Sequence, residues 1–468
     1  MKRHLIVTLN NKGFGESILG VNLAMELQQA GDQVLFLTHD SNSKLLGAGL
    51  PYVSVCDAAA PLFKVYLDDC LNRFRPSSII LSDYSASANF LKGLGWTLDM
   101  FTSTGIPVFA IDTWGRFRIP ENDAQLGDRD DAHEQFRRRG DAEDKEAWRL
   151  ASPTHGRNVN WCSTVKPLCP VPFLSRGASP GSYCSLPAAV SKSKSRQLRS
   201  CDTLGLSSES RMVLLCTSPW QHVAEWQTPT IARDGMLEDA QTGAKKNNNC
   251  SSANDWARLG AQWDGARRLA ASLPTLVAHY LSRLGDSVHL VHVGPRSFEL
   301  AGQLKGRYHW LPSLTPGEFD AVLARANLFL SANITGTTVA KALTRGKPVM
   351  VLHNSVSAST VAEAETQAGA ELSSALRQWL EQAVPLSPFT LWPLGYTRFL
   401  EPILQGNSYT AALECVEILQ ERKVEASLAS LLFDAVARED QIHRQDSYVR
   451  EVGALPRAAD LVIAGLEA

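Results

Sequence analysis

The chain has 468 residues, with 46 Lys and Arg against 48 Asp and Glu, a formal charge of -2 and 44% hydrophobic residues. That length corresponds to two or three ordinary cores rather than one, and the composition excludes both a disordered tail protein and a disulfide miniprotein. The near-neutral balance supplies no global field for steering nucleic acid or an anionic membrane surface, so no nucleic-acid partner is expected.

The apolar stretch that ends at Leu9 is too short for a signal-peptide core. No apolar run reaches the roughly 18 residues needed to cross a bilayer. A cytoplasmic protein without a membrane span is the expectation. Nine cysteines are scattered without a C-x-x-C pair and read as reduced thiols. His155, Cys162 and Cys169 have wide gaps and no fourth partner, so no metal site is expected there or elsewhere.

In chain order, His4 to Leu9 is rich in strand formers, Gly13 and Gly15 break the run, Ile18 to Gln29 has helical apolar spacing, and Val34 to Leu37 is a short buried run. This is a βαβ opening. The apolar runs Ser78 to Ser82 and Pro107 to Ile111 end in Asp83 and Asp112. Polar residues at the carboxyl ends of parallel strands stand where open sheets bind ligands. Arg116 to Arg149 is strongly charged, and Ser175 to Ser210 is rich in Ser, Gly, Pro, Lys and Arg, the composition of a linker.

A strand is predicted over Met212 to Cys216, followed by Thr217-Ser218-Pro219-Trp220 and a polar insert over 227–254 expected to be a mobile loop. Helical spacing over Trp263 to Leu284 is expected to break or kink at Pro274. Then come a strand at Val288 to Val293, a turn at Gly294-Pro295, a helix near Ser297 to Leu304 and the segment Tyr308 to Leu311. A helix at Pro316 to Arg325, a strand at Leu328 to Ser331, a polar turn, a helix at Val339 to Arg345 and a strand at Pro348 to Leu352 complete a second doubly wound pattern. From about Gly395 to Ala468 the chain reads as helical, with apolar residues at i, i+3 and i+4 through 410–434. The expected organisation is α/β: a Rossmann-like domain over 1–175, a linker over 176–210, a second Rossmann-like domain over 211–394 and a helical tail over 395–468.

The polar turn Asn333-Ile334-Thr335-Gly336-Thr337-Thr338 leads straight into a helix. Its amides and hydroxyls, with the positive end of the helix dipole, suit a diphosphate; the same residues suit an ordinary Thr-capped helix. No G-x-x-x-x-G-K-[ST] run exists, and Gly13-Phe14-Gly15 with Gly20 misses the dinucleotide fingerprint in its last spacing, so neither P-loop hydrolysis nor NAD or FAD use is expected.

Several motifs together resemble the GT-B glycosyltransferases, in particular the UDP-glycosyltransferases and the lipid-II-forming N-acetylglucosaminyltransferase. They are His309-Trp310-Leu311-Pro312, Leu323 to Leu330 around Ala326-Asn327-Leu328, Thr335-Gly336-Thr337-Thr338, and Gly346-Lys347-Pro348. At the other end Lys12-Gly13-Phe14-Gly15-Glu16, the helix from Gly20 to Leu27 and Gly31 to Val34 resemble the family's glycine loop and first helix. The resemblance implies two Rossmann-like domains facing a cleft and a tail that crosses back to the first. It implies a nucleotide sugar, UDP-linked in most such enzymes, as co-substrate, with no other cofactor and no obligatory metal. Trp310 and Leu311 would lie by the base, Thr335 to Thr338 at the phosphates with Ser218 and Gly294 on the same edge, and His353 and Asn354 by the sugar. Lys12, Gly13, Phe14 and Gly15 would form the acceptor-side loop.

Glu16 stands where many such enzymes carry a histidine base. It is read either as the general base for the acceptor or as an acid favoured by a helix N-terminus. Asp83 and Asp112 are alternative bases or turn caps. Lys341 stands where the family has a ribose-binding glutamate; a lysine cannot accept those hydrogen bonds, so it is expected to pair with phosphate or to mark a different donor. Trp392 to Tyr396 is expected to stitch the domains by apolar burial. The expected function is a metal-independent transfer of sugar to a small-molecule or peptide acceptor, the alternatives being a nucleotide-sugar hydrolase or epimerase and a non-catalytic binding subunit.

Overall fold

The computed structural model describes residues 1–9, 15–46, 49–56, 62–93, 96–112, 162–170, 183–184, 206–207, 209–218, 221–222, 253–312, 314–369, 371–386, 388–393, 404 and 406–467. The charged stretch 116–149 and the insert 227–252 lie outside them, as does most of the expected linker.

The first unit runs β1 (Arg3–Thr8), α1 (Gly15–Gln29), β2 (Gln33–His39), α2 (Ser43–Leu46), β3 (Tyr52–Val55), α3 (Phe63–Phe74) and β4 (Ser78–Leu81). It continues with α4 (Tyr84–Gly93), α5 (Asp99–Thr102), β5 (Val108–Ile111), β6 (Val165–Pro170) and β7 (Tyr183–Cys184). Its strands are ordered β3-β2-β1-β4-β5-β6-β7 and every pairing is parallel. β4 and β5 are buried at every residue, because helices cover both faces; that is why they read as unbroken apolar runs rather than alternating ones. Gly20 permits the tight seat of α1 on this sheet, since a Cβ there would meet Ser82 Cβ at 3.1 Å and Ile6 Cγ2 at 3.4 Å.

The second unit runs β8 (Arg211–Cys216), α6 (Ala253–Ser282), β9 (Val288–Val293), α7 (Ala301–Leu304), β10 (Tyr308–Leu311), α8 (Pro316–Arg325), β11 (Leu328–Ser331) and α9 (Thr337–Thr344). Then follow β12 (Val349–His353), α10 (Val361–Ala368), α11 (Ser374–Ala383), α12 (Ser408–Ala411), β13 (Glu414–Glu417), α13 (Glu421–Phe433), α14 (Ala435–Gly453) and α15 (Ala458–Gly465). The order β10-β9-β8-β11-β12-β13 again reverses direction beside its first strand. In open parallel sheets the crevice at that reversal, outside the strands' carboxyl ends, receives the ligand. Here it lies between the ends of β8 and β11; in the first unit it lies between those of β1 and β4. Two doubly wound sheets are therefore present, as the resemblance implied.

The structure corrects four readings. Pro274 lies inside a helix that runs on through it. Trp379 Nε1 donates to Ser272 O at 2.8 Å and Trp392 Nε1 to Leu269 O at 3.1 Å, so both indoles are fastened to the turn that precedes the proline. The tail is not helical throughout: Glu414–Glu417 is β13, paired with β12, four residues whose period does not distinguish strand from helix. The helix near Ser297 shrinks to Ala301–Leu304. Trp392 does not stitch the domains, because it is buried in the second unit's core with Leu269 and Trp379, and Tyr396 lies outside the described residues.

The return to the first unit is made by α15. Ala458, Ala459 and Val462 pack in one cluster with Leu23, Leu27 and Phe109, Lys166 Nζ donates to Gly465 O at 2.5 Å, and Ala459 N donates to Glu26 Oε2 at 3.3 Å. α14 stays with the second sheet, where Gln441 exchanges hydrogen bonds with both backbone groups of Val349. No described helix is long and apolar enough to cross a membrane.

Candidate functional site

Along the carboxyl edge of the second sheet, β8 ends in Thr217, whose amide bonds Val293 O at 3.0 Å. Ser218 N donates to Gln221 Oε1 at 2.7 Å, and Gln221 in turn donates to Trp392 O, which fixes the first turn after the strand. β9 ends at Gly294, where the close approach demands glycine: a Cβ would fall 2.2 Å from Thr217 Oγ1 and 2.6 Å from His292 Nε2. Trp310 on β10 donates its indole N–H to Gly294 O at 2.9 Å yet remains 41% exposed. An indole so pinned and still partly open to solvent can offer apolar surface to a planar ring. Leu311 follows at the same edge, and its carbonyl accepts from Gly294 N at 3.1 Å.

After β11 the chain makes a tight polar turn. Asn333 Oδ1 accepts from Thr335 N at 2.9 Å and from Thr335 Oγ1 at 2.8 Å, and Ser331 Oγ donates to Asn333 O at 3.0 Å. Tyr409, fully buried, holds the turn from below by donating to Ile334 O at 2.5 Å. Gly336 is the N-cap of α9 and has no side chain to cap with. Val339 N and Ala340 N return to Gly336 O, so among the described residues the amides of Thr337 and Thr338 have no acceptor. Those two donors, at the positive end of the helix dipole, are an anion site in waiting. At the other end Gly346, with φ 61°, turns the chain out of α9 and into β12.

Across from this turn stands the N-terminus of α1. A Cβ built on Gly15 would lie 3.5 Å from Thr337 Cγ2 and 3.7 Å from Thr337 Oγ1. The two helix starts therefore face each other at van der Waals distance. Glu16 is the second residue of α1; its side chain and all of Lys12, Gly13 and Phe14 lie outside the described residues.

Other expected residues are placed less directly. Lys341 is not a loose phosphate ligand: its ammonium is buried on Asp320 Oδ1 at 2.6 Å and over the Phe319 ring, and Arg345 joins Asp320 at 3.5 Å. The lysine balances a carboxylate from α8 that the sequence pattern did not reveal. Asn354 is fully buried and gives its carboxamide to Val356 O and N at 2.8 and 3.2 Å, so it shapes the turn after β12 rather than facing a sugar. His353 keeps about a third of its side chain exposed and lies 3.3 Å from Glu417; burial pulls its pKa down, with the Glu417 charge opposing. Asp83 and Asp112 are buried after β4 and β5, Asp112 accepting from Cys169 Sγ at its carbonyl at 3.2 Å. A shallow recess at the carboxyl edge of the first sheet is lined by Leu9, His39, Val55, Cys56 and Phe90, residues too dispersed in sequence to form a motif.

Beside Gly294 lies a further polar cluster that sequence reasoning missed. Thr217 Oγ1 is 2.5 Å from His222 Nε2 and 2.6 Å from His292 Nε2. His292 Nδ1 is 3.0 Å from the Tyr308 hydroxyl, which accepts from Phe298 N at 2.8 Å. Burial pushes the pKa of His222 down to about 4, with Arg296 adding to the effect, and that of His292 to about 3, with His222 adding to it.

Solved structures similar to this chain include the spinosyn rhamnosyltransferase SpnG complexed with thymidine diphosphate, at 15% identity and TM-score 0.47 over 100% of both chains. Also similar are the glycosyltransferase VinC in complex with dTDP, at 15% identity and TM-score 0.45 over 99% of this chain and 98% of that one, and the glycosyltransferase SnogD from Streptomyces nogalater, at 14% identity and TM-score 0.44 over 99% of each. Likeness this distant leaves the chemistry to be read from the site itself. Among curated proteins none matches the sequence. A family model described as "Family of unknown function (DUF6365)" matches residues 23–467, which takes in both sheets from α1 onward, and the chain belongs to that family.

Proposed function

We propose that the protein is a glycosyltransferase that binds a nucleotide sugar on the second sheet and passes the sugar to a small-molecule or peptide acceptor held by the first. The observation that carries this reading is the meeting of Gly15 and Thr337, which sets the starts of α1 and α9 face to face. Two positive helix ends that converge, one of them with the free amides of Thr337 and Thr338, repel each other unless an anion lies with them. A diphosphate supplies that anion, and Trp310 at the same sheet edge supplies a surface for the base.

Transfer is a single displacement. The acceptor hydroxyl oxygen attacks the anomeric carbon while the bond from that carbon to the diphosphate oxygen breaks, so configuration inverts. The electron pair leaves with the diphosphate, whose added charge is taken up by the amides and hydroxyls of Thr337 and Thr338. The acceptor's proton passes to a carboxylate of the first unit, Glu16 in the first place, with Asp83 and Asp112 as the other bases on that edge. No metal is needed for this charge balance. UDP-linked sugars are the first donors to try, and location in the cytoplasm fits such a donor.

Two measurements test the reading. Uridine and thymidine diphosphates should raise the protein's thermal midpoint, because a ligand that binds only the folded state stabilises it. Trp310→Ala should then weaken diphosphate binding by about 10- to 100-fold, the range for losing one base–aromatic stack. Absence of binding by any nucleoside diphosphate or nucleotide sugar would remove the proposed function. Release of free sugar from a nucleotide sugar without acceptor would instead favour hydrolysis.

A further inference from the structure

The cluster beside Gly294 has a hydrogen-bond direction that can be worked out from its ends. Phe298 N is a donor only, so the Tyr308 oxygen accepts from it at 2.8 Å. The acceptor available for the phenol's own hydrogen is His292 Nδ1 at 3.0 Å. Burial keeps both imidazoles neutral at pH 7, so each carries one N–H. With Nδ1 of His292 accepting, its hydrogen is on Nε2 and is donated to Thr217 Oγ1 at 2.6 Å. The threonine hydroxyl then donates to His222 Nε2 at 2.5 Å. The only ring nitrogen left to bear hydrogen on His222 is Nδ1, on the far side of the ring from Thr217. Among the described residues it has no acceptor.

The ring is also held in plane. His222 stacks on Phe298 with centroids 4.8 Å apart and on His292 at 5.6 Å. It follows Thr217 and Ser218 at the end of β8, on the carboxyl edge where the strand order reverses. One wall of the cluster is Gly294, the residue on which Trp310 is pinned. A single N–H fixed by four partners in series, at a ligand edge, is a preorganised donor rather than a surface histidine.

We infer that His222 is a donor-substrate binding residue whose Nδ1–H, oriented through Thr217, His292 and Tyr308, is given to an oxygen of the nucleoside diphosphate. The inference rests on the proposed function for its ligand, and on the cluster alone for its direction. Thr217, His292 and Tyr308 are positioning residues and do not touch the ligand.

The test uses the full-length protein and uridine and thymidine diphosphates in calorimetric titrations. His222→Phe keeps the stacking and removes the N–H; it should weaken binding about tenfold or more, the cost of a hydrogen bond to a charged group. His222→Asn places an amide N–H near the former Nδ1 and should recover most of the loss. Thr217→Val leaves shape nearly unchanged and should weaken binding less than His222→Phe. Nitrogen-15 imidazole shifts of the wild type at pH 7 should show His222 protonated on Nδ1 and His292 on Nε2, with the His222 preference lost in Thr217→Val. Diphosphate binding that is equal in wild type and His222→Phe overturns this inference and leaves the proposed function standing. A His222 ring protonated on Nε2 also overturns it, and no binding by the wild type overturns both.

Discussion

Glu16→Gln is expected to lower turnover by about 10²- to 10⁴-fold, the usual contribution of a positioned general base, while leaving diphosphate affinity unchanged. The carboxamide matches the carboxylate in size but cannot take up the acceptor's proton. The separation of the two effects follows from where residue 16 stands. It belongs to α1, whose first residue, Gly15, faces Thr337; its side chain is assigned to the acceptor, whereas the side chains assigned to the diphosphate, Thr337 and Thr338, belong to α9. Activity is measured by release of nucleoside diphosphate in the presence of acceptor, and affinity by calorimetry on the same preparation. Unchanged turnover would take Glu16 out of the mechanism and pass its role to Asp83 or Asp112, both buried at the carboxyl edge of the first sheet. A parallel loss of affinity would mean that residue 16 helps to hold the diphosphate.

The second large effect is on stability. Gly294→Ala puts a methyl group 2.2 Å from Thr217 Oγ1 and 2.6 Å from His292 Nε2. Neither atom can swing aside cheaply, since the hydroxyl is held between two imidazoles and His292 is fully buried. Overpacking of this kind costs roughly 1–3 kcal/mol. The midpoint of chemical unfolding should fall accordingly, and diphosphate binding should weaken because Trp310 is tied to Gly294 O. Gly336→Ala is the matching control. Its nearest neighbours would be at 3.4 Å and its φ is -61°, so its unfolding midpoint should remain near that of the wild type. If the two variants are equally stable, the packing around Gly294 is looser than its distances imply.

The parts of the fold that are legible in the sequence are those in which local pattern and burial agree. β4, β5 and β11 are buried throughout and read as short apolar runs. α8 announces itself by Thr315 and Glu318, which form a capping box with Pro316 at the first helical position. Pro274 does not break its helix; a local rule about helix interiors takes no account of the core that buries Leu273, Leu276, Val277 and Tyr280 around it. β13 was hidden because four residues are too few to fix a period.

The site divides in the same way. Thr335 to Thr338 can be proposed from sequence because turn, glycine and helix start are contiguous, and Trp310 because an aromatic stands in a recurrent place. The roles of Asn354 and Lys341 could not be found, since each is decided by a partner: the Val356 and Phe389 backbones for one, Asp320 for the other. Thr217, His222, His292 and Tyr308 form no motif at all. Four common residues, two on separate strands and two in the segment that follows a third, acquire meaning only when the sheet brings them within hydrogen-bond distance.

The central claim is that a diphosphate sits between the starts of α1 and α9. It is tested most directly by titrating uridine or thymidine diphosphate into protein labelled with nitrogen-15 at glycine and threonine. The account predicts saturable amide shifts at Thr337, Thr338 and Gly15 together, and none comparable with the corresponding nucleoside. Binding that leaves these three amides unmoved, or that is as strong for the nucleoside, would contradict it.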